Sequence, residues 1–179
     1  MKKFTKALLA TAVLSSSAMA TEVGFYAGGG FGVEAVPNYG DWKAGAGIVL
    51  RGGMTFDSLL EHFGAEVELT KSIVDPKVSY EGGAGRDKVN VTTFAAYAVY
   101  RIPVVGKFYV KPRFGVILPN LGGAKSDSTG DYLVNSRNVT FSSGIGVGYP
   151  VMDHLDVYMD YTVLGEAVTN YAAGVEWHF

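Results

Sequence analysis

The sequence predicts an all-β protein, an eight-stranded antiparallel up-and-down transmembrane β-barrel in residues 21–179. Three observations support this fold. Apolar residues alternate with polar or small ones in eight segments, 23–31, 42–50, 63–69, 89–102, 108–118, 139–149, 155–163 and 169–179, as in strands whose side chains point to opposite faces. Most segments are close to the length of about 9–11 residues that a tilted strand needs to cross a bilayer. The polar connections tend to alternate between long and short, as in outer-membrane barrels.

Composition limits the possible functions. The chain has 179 residues, of which 48% are apolar and 18% charged, and it has no cysteine. The absence of cysteine excludes disulfides and thiol nucleophiles. The formal net charge of −2 argues against nucleic acid as a partner. The three histidines are scattered along the chain, so neither a metal site nor a cofactor is expected.

Residues 1–20 resemble a cleaved signal peptide. Lysines at positions 2, 3 and 6 precede a short apolar run, and Ala18-Met19-Ala20 forms a small-residue cleavage pattern. The apolar run is too short for a transmembrane helix. We therefore expect export, and a mature chain of residues 21–179 that forms the barrel domain.

The last strand, 169–179, is the most informative segment. Its residues Tyr171, Val175, Trp177 and Phe179 lie on one face, and Asn170, Glu176 and His178 lie on the other. In lipid, the aromatic face would meet acyl chains and headgroups. The alternative is a water-soluble β-sandwich or lipocalin-like barrel, in which the same face would point into the core.

The alternation also places charged side chains inside the barrel. An eight-stranded barrel has an interior that side chains can fill, and buried charges must pair there. We therefore predict a polar plug of salt bridges. A gate or ion path through rearranged pairs remains the alternative. The predicted lumen network comprises Arg51, Glu66, Glu68, Arg101, Lys111, Arg113, Asp156, Asp160 and Glu176.

Aromatic residues near the strand ends predict girdles at the two membrane interfaces. Those expected near the periplasmic rim include Phe63, Tyr100, Phe108 and Tyr149, and those expected nearer the outer rim include Phe31 and Trp42.

Catalysis has little support in the sequence. His62 and His154 fall in predicted turns and His178 at the terminal rim, and none has a serine partner at a defensible spacing. Ser143 is the one obvious nucleophile on the predicted lipid faces. We expect no enzyme activity, and a lipid-modifying barrel enzyme ranks third among the possible functions.

The chain resembles the small outer-membrane β-barrel family of OmpA-like and OmpX-like eight-stranded barrels and opacity-type proteins. The resemblance rests on the terminal strand, on F-Y-A-G-G-G-F-G at 25–32 and on K-P-R-F-G at 111–115. It implies that Tyr171, Val175, Trp177 and Phe179 form the signal read by the outer-membrane insertion machinery, and that the barrel lies in outer-membrane lipid of a Gram-negative cell.

The long polar loops 71–88 and 119–138 suggest a role for the barrel. Loops on a rigid scaffold often carry binding residues. We expect a structural and surface-interaction role, in adhesion or in binding a host or envelope partner through these loops. A narrow porin for ions or small solutes is the alternative.

Overall fold

The computed structural model describes residues 23–35, 41–56, 62–79, 86–122, 138–164 and 168–179. The predicted signal peptide lies outside these ranges. No helix among the described residues is long and apolar enough to cross a bilayer.

Twelve strands form in the described residues. They are β1 (Val23–Ala35), β2 (Asp41–Lys43), β3 (Gly45–Phe56), β4 (Phe63–Val74), β5 (Lys77–Ser79), β6 (Arg86–Lys88), β7 (Asn90–Tyr100), β8 (Ile102–Pro103), β9 (Tyr109–Gly122), β10 (Thr140–Met152), β11 (Leu155–Leu164) and β12 (Val168–His178).

Eight of the strands close into an antiparallel barrel, in the order β1-β3-β4-β7-β9-β10-β11-β12. Each long strand pairs with the next long strand along the chain, which is up-and-down topology. Closure comes from β1 and β12, which pair in register from Tyr26 opposite His178 to Ala35 opposite Thr169. The Phe179 amide extends this seam by donating a hydrogen bond to the Phe25 carbonyl at 2.9 Å. The closed ring leaves no open sheet edge in lipid.

The two faces of the wall have opposite chemistry. Large apolar side chains lie exposed on the outside, including Phe31 at 75% and Trp177 at 48% exposure. Charged side chains such as Glu66 and Lys111 are buried inside. This arrangement excludes the soluble β-sandwich or lipocalin-like alternative, in which the apolar residues would fill the interior.

Several strands are longer at their outer ends than the sequence suggested. The first predicted segment ends at residue 31, but β1 continues to Ala35 and includes Glu34. The predicted loop 71–88 contains the end of β4 as well as β5 and β6, and the predicted loop 119–138 begins with the last residues of β9. Polar residues can continue a β-ladder beyond the hydrocarbon layer, so the loss of apolar alternation does not mark the end of a strand.

The short strands β2, β5 and β6 form a second sheet, in the order β2-β5-β6. This sheet, called the outer sheet below, extends the β3, β4 and β7 region beyond the barrel rim at the end with long loops. By the topology of this fold, that end faces the outside of the cell and the end with short turns faces the periplasm. Trp42 lies in β2 and therefore in the outer sheet, whereas the sequence placed it at the start of a barrel strand.

Candidate functional site in the barrel lumen

The lumen holds a buried ion-pair network. Each member points inward because of its place in the alternation along its strand. Glu66 and Glu68 project from β4, and Lys111 and Arg113 from β9. Arg51, Asp156, Asp160 and Glu176 come from β3, β11 and β12, and Arg101 follows β7. Eight of these nine residues are linked by ion pairs: Arg51, Glu66, Glu68, Arg101, Lys111, Arg113, Asp160 and Glu176.

Arg113 occupies the centre of the network and has no exposed surface. One guanidinium nitrogen, Nη1, lies 2.6 Å from Glu68 Oε2 and 3.0 Å from Glu66 Oε1. Its other terminal nitrogen donates a hydrogen bond to the Thr162 hydroxyl. Arg51 approaches Glu68 from the opposite side, with Nη2 at 3.0 Å from Oε2. Two cations thus share one carboxylate oxygen, which offsets the cost of burying these charges.

Lys111 and Glu176 join the second half of the network. Lys111 Nζ lies 2.6 Å from Glu176 Oε1 and 3.0 Å from Glu66 Oε2. Arg101 completes the pairing of Glu176, with Nη2 at 3.1 Å from Oε2. Charge-assisted hydrogen bonds of this length are stronger than neutral ones.

Asp156 lies at the periplasmic edge of the network. Among the described residues it forms no ion pair with the arginines or the lysine of the predicted network. It accepts a hydrogen bond from the Tyr109 hydroxyl at 2.9 Å, and His178 Nε2 lies 3.2 Å from it. Asp156, Glu176 and His178 have potential ligand atoms within 4.8 Å of one another. Glu176 is already paired with Lys111 and two arginines, and these positive charges oppose a metal ion there.

Four tyrosines complete the polar interior and were not among the predicted network residues. The Tyr26 hydroxyl donates to Glu66 Oε2 at 2.9 Å, and the rings of Tyr158 and Tyr97 lie under Arg51 and Arg113 at 3.9 and 4.7 Å. The fourth tyrosine is Tyr109, whose hydroxyl donates a hydrogen bond to Asp156. All four occupy inward positions in the alternation of their strands, so position alone is enough to anticipate their place in the lumen.

The outer part of the lumen contains an apolar cluster. Val89, Val91, Ile117, Leu164 and Val168 are buried there in one cluster. They lie near the outer ends of β7, β9, β11 and β12. Val89, Val91 and Ile117 fall within predicted strands, whereas Leu164 and Val168 fall in the predicted connection between 163 and 169. Ion pairs therefore fill one level of the barrel and apolar side chains another.

Four of the six predicted girdle residues, Phe63, Tyr100, Phe108 and Tyr149, lie near the ends of barrel strands. Phe63 begins β4 and Tyr100 ends β7, and the rings of Phe108 and Tyr149 pack at a tilt of 47° with centroids 4.7 Å apart. Phe31 is exposed on the outer half of β1. The four residues that the resemblance assigns to the insertion signal all point outward and are exposed: Tyr171, Val175, Trp177 and Phe179. Their recognition by the insertion machinery stays a prediction.

Ser143 lies outside the barrel, in an apolar cleft of about 170 Å³ with Phe114, Phe141 and Val163. The three histidines of the chain lie at the other end of the barrel, beside the periplasmic turns. None can act as a base toward Ser143 from there. The absence of enzyme activity remains a prediction.

A closed eight-stranded barrel with an apolar exterior and a charged interior defines a class of protein, the small transmembrane β-barrel. Comparison with known proteins places the chain more narrowly. The family described as Outer membrane protein beta-barrel domain matches residues 6–179. The chain belongs to this family, and its place is the outer membrane. No curated protein matches the sequence.

Three solved structures illustrate the shared fold. A major outer membrane protein from Thermus thermophilus is 14% identical with a TM-score of 0.61, and the match covers 88% of this chain and 99% of that one. OprG from Pseudomonas aeruginosa is 13% identical with a TM-score of 0.55, covering 88% and 95%. Ail from Yersinia pestis, solved with the heparin analogue sucrose octasulfate, is 12% identical with a TM-score of 0.53, covering 90% and 100%.

Proposed function

We propose that this protein is a surface-interaction barrel whose outer sheet binds a polyanionic glycan outside the cell. The observation that carries the proposal is a row of three lysines across the outer sheet. Lys43 of β2 is opposite Lys77 of β5, and Lys77 is opposite Lys88 of β6. Directly opposed residues have side chains on the same face, with Cβ atoms about 4.5–5.5 Å apart.

The lysine row is available to a partner. All three lysines are exposed, and none has an ion-pair partner among the described residues. Their sequence neighbours Pro76 and Val89 are buried. Adjacent residues point to opposite faces of a strand, so the lysines face away from the covered side of the sheet.

The energetics of the row favour an anionic ligand. Like charges directly opposite each other destabilise a sheet, and here three cations stand in sequence. Sulfate or phosphate groups placed between them would remove this repulsion and add attraction. A glycan with repeating anionic groups can contact all three lysines at once.

The filled lumen also supports a role outside the membrane. Ion pairs and the apolar cluster occupy the interior, and an eight-stranded barrel leaves little space for transport. The loops and the outer sheet are then the parts of the molecule positioned to meet other molecules.

The test measures binding of the refolded, full-length protein in detergent to immobilised heparin, with sucrose octasulfate as competitor. We expect binding that weakens as salt is raised. Replacing Lys77 with Gln should weaken it by up to about fivefold, the value of an exposed ion pair worth up to about 1 kcal/mol. Replacing Lys43, Lys77 and Lys88 together should reduce it to background.

Lys107→Gln is the matched control, because Lys107 is an exposed lysine on a periplasmic turn. It should bind as the parent does. Equal losses in Lys107→Gln and in Lys77→Gln would mean that net charge, and not the lysine row, drives binding. Absence of binding by the parent protein would refute the proposal.

A narrow pore is the second candidate function, supported by shared partners in the network. Arg51 and Arg113 each contact three carboxylates, two of which, Glu68 and Asp160, are common to both. An exchange of partners could open a path without leaving a charge unpaired. Planar-bilayer recordings test this idea, since Arg113→Ala or Glu68→Ala should then change the conductance. A parent protein with no conductance would exclude the pore.

A further inference from the structure

Glu34 is a buried carboxylate that stands apart from the ion-pair network. It is 0% exposed. Arg51 of the network lies opposite Gly28 of β1, and Glu34 is six residues farther along the same strand. Six strand residues span about 20 Å. The Ser72 hydroxyl donates a hydrogen bond to Glu34 Oε2. The other oxygen, Oε1, has no hydrogen-bond partner, and no ion pair with a described cation includes Glu34.

A second buried group beside Glu34 also lacks partners. Asn170 lies directly opposite Glu34 in the pairing of β1 with β12. It is 1% exposed, and neither its Oδ1 nor its Nδ2 has a hydrogen-bond partner. Burying an amide without partners is costly, so two such groups side by side indicate an occupant between them.

Two glycines bring these groups close together. Glu34 Oε1 lies 2.6 Å from the position that a Cβ of Gly47 would take, and the Asn170 amide oxygen contacts the corresponding position at Gly32. Gly32 and Gly47 are directly opposite each other in β1 and β3. Opposed Cβ positions are about 4.5–5.5 Å apart. The two unpartnered oxygens therefore lie at neighbouring positions on the inner wall, Asn170 Oδ1 against Gly32 and Glu34 Oε1 against Gly47.

We propose that Glu34 Oε1 and Asn170 Oδ1 bind a hard metal cation, Ca²⁺, in the outer part of the lumen. Thr70, which is fully buried with an unpartnered hydroxyl, lies on the same inward face of β4, two residues before Ser72. Ca²⁺ accepts irregular sets of carboxylate, amide and hydroxyl oxygens. Asp75, whose charge acts on Glu34, is a second carboxylate at this end of the barrel. This inference is independent of glycan binding by the outer sheet.

Two other occupants make different predictions. A water molecule needs two to four polar partners and would bind with or without Ca²⁺. A proton on Glu34 would make the side chain neutral, and the isosteric Glu34→Gln variant would then be as stable as the parent. Only a metal ion makes stability depend on Ca²⁺ through Glu34.

The experiment refolds the full-length protein in detergent with either CaCl₂ or EDTA, so that the buried site equilibrates before measurement. Thermal unfolding is followed by gel mobility, and calcium binding by calorimetry. We expect an unfolding midpoint that rises with Ca²⁺ concentration and a dissociation constant of about 10⁻⁴ to 10⁻³ M. Glu34→Gln and Asn170→Ala should each weaken calcium binding by about tenfold or more, because ligand charge and number set the affinity.

Asp153→Asn is the matched control, since Asp153 is an exposed carboxylate on a periplasmic turn, and it should retain the full calcium shift. Three results would overturn the proposal: no calcium-dependent shift in the parent, the same shift in Glu34→Gln, or a loss of the shift in the control. If a variant fails to refold, calorimetry on the parent with Ca²⁺, and with Mg²⁺ as competitor, still decides the outcome. Mg²⁺ should compete poorly, because it demands near-ideal octahedral geometry.

Discussion

Replacing Arg113 with Met tests whether the ion-pair network stabilises the barrel. Methionine keeps much of the volume but removes the charge that lies 2.6 Å from Glu68 and 3.0 Å from Glu66. The nine predicted network residues then carry three cations against five carboxylates, where the parent has four against five. Breaking a buried ion pair typically costs about 3–5 kcal/mol. We expect a loss near the lower end, about 3 kcal/mol, because Lys111 still pairs with Glu66 and Arg51 with Glu68.

A double-mutant cycle isolates the interaction of Arg113 with Glu68. Glu68→Gln alone should destabilise the barrel, but in the Arg113→Met background it removes a surplus negative charge. We therefore expect the double variant to be more stable than the sum of the single losses, with a coupling of about 1–3 kcal/mol.

The assay is urea unfolding of the refolded barrel, followed by tryptophan fluorescence and by the gel mobility of unheated samples. Lys107→Met serves as the surface control and should change stability by less than about 0.5 kcal/mol. A coupling within about 0.5 kcal/mol of zero would contradict the reasoning, since the close contacts would then contribute nothing specific to folding.

Three further predictions concern the wall of the barrel. Val147 lies near the middle of β10 on the exposed face, and Val147→Arg should lower the free energy of unfolding by about 2–4 kcal/mol, measured with urea in lipid vesicles. Val139 lies beyond the outer end of the strand, and Val139→Arg should lower it by only about 0–1 kcal/mol. Gly115→Ala should destabilise the fold by more than about 1 kcal/mol, because the added methyl meets a backbone carbonyl of β7, while Gly52→Ala, whose nearest atom is 3.8 Å away, should cost less. Deleting Phe179 should lower the heat-modifiable fraction in outer membranes of cells but not refolding in detergent, if it belongs to the insertion signal.

The alternation in the sequence was sufficient to predict the barrel and its two faces. The inward position of Arg113 and the outward position of Trp177 follow from counting along their strands. Even β7, which is largely apolar on both faces, keeps the alternation, with Thr93, Ala95, Tyr97 and Val99 buried.

The outer ends of the strands could not be predicted in the same way. Glu34 and Ser72 lie inside the barrel, in positions that continue the alternation of β1 and β4. The adjacent turn-forming and charged residues masked that pattern. Backbone pairing of β1 with β12 and of β4 with β3, and not side-chain hydropathy, extends these strands. For this reason the proposed calcium site and the outer sheet emerged only from the structure.

The sequence by itself determined which side chains enter the lumen, because the direction of a side chain depends only on its place along one strand. The tertiary structure decided which charges meet. Lys111 and Glu176 are 65 residues apart, yet their side chains approach to 2.6 Å. Such contacts depend on the stagger between strands and on closure of the ring, which set the height of each residue above the periplasmic rim. Neither quantity is encoded in the local alternation of residues.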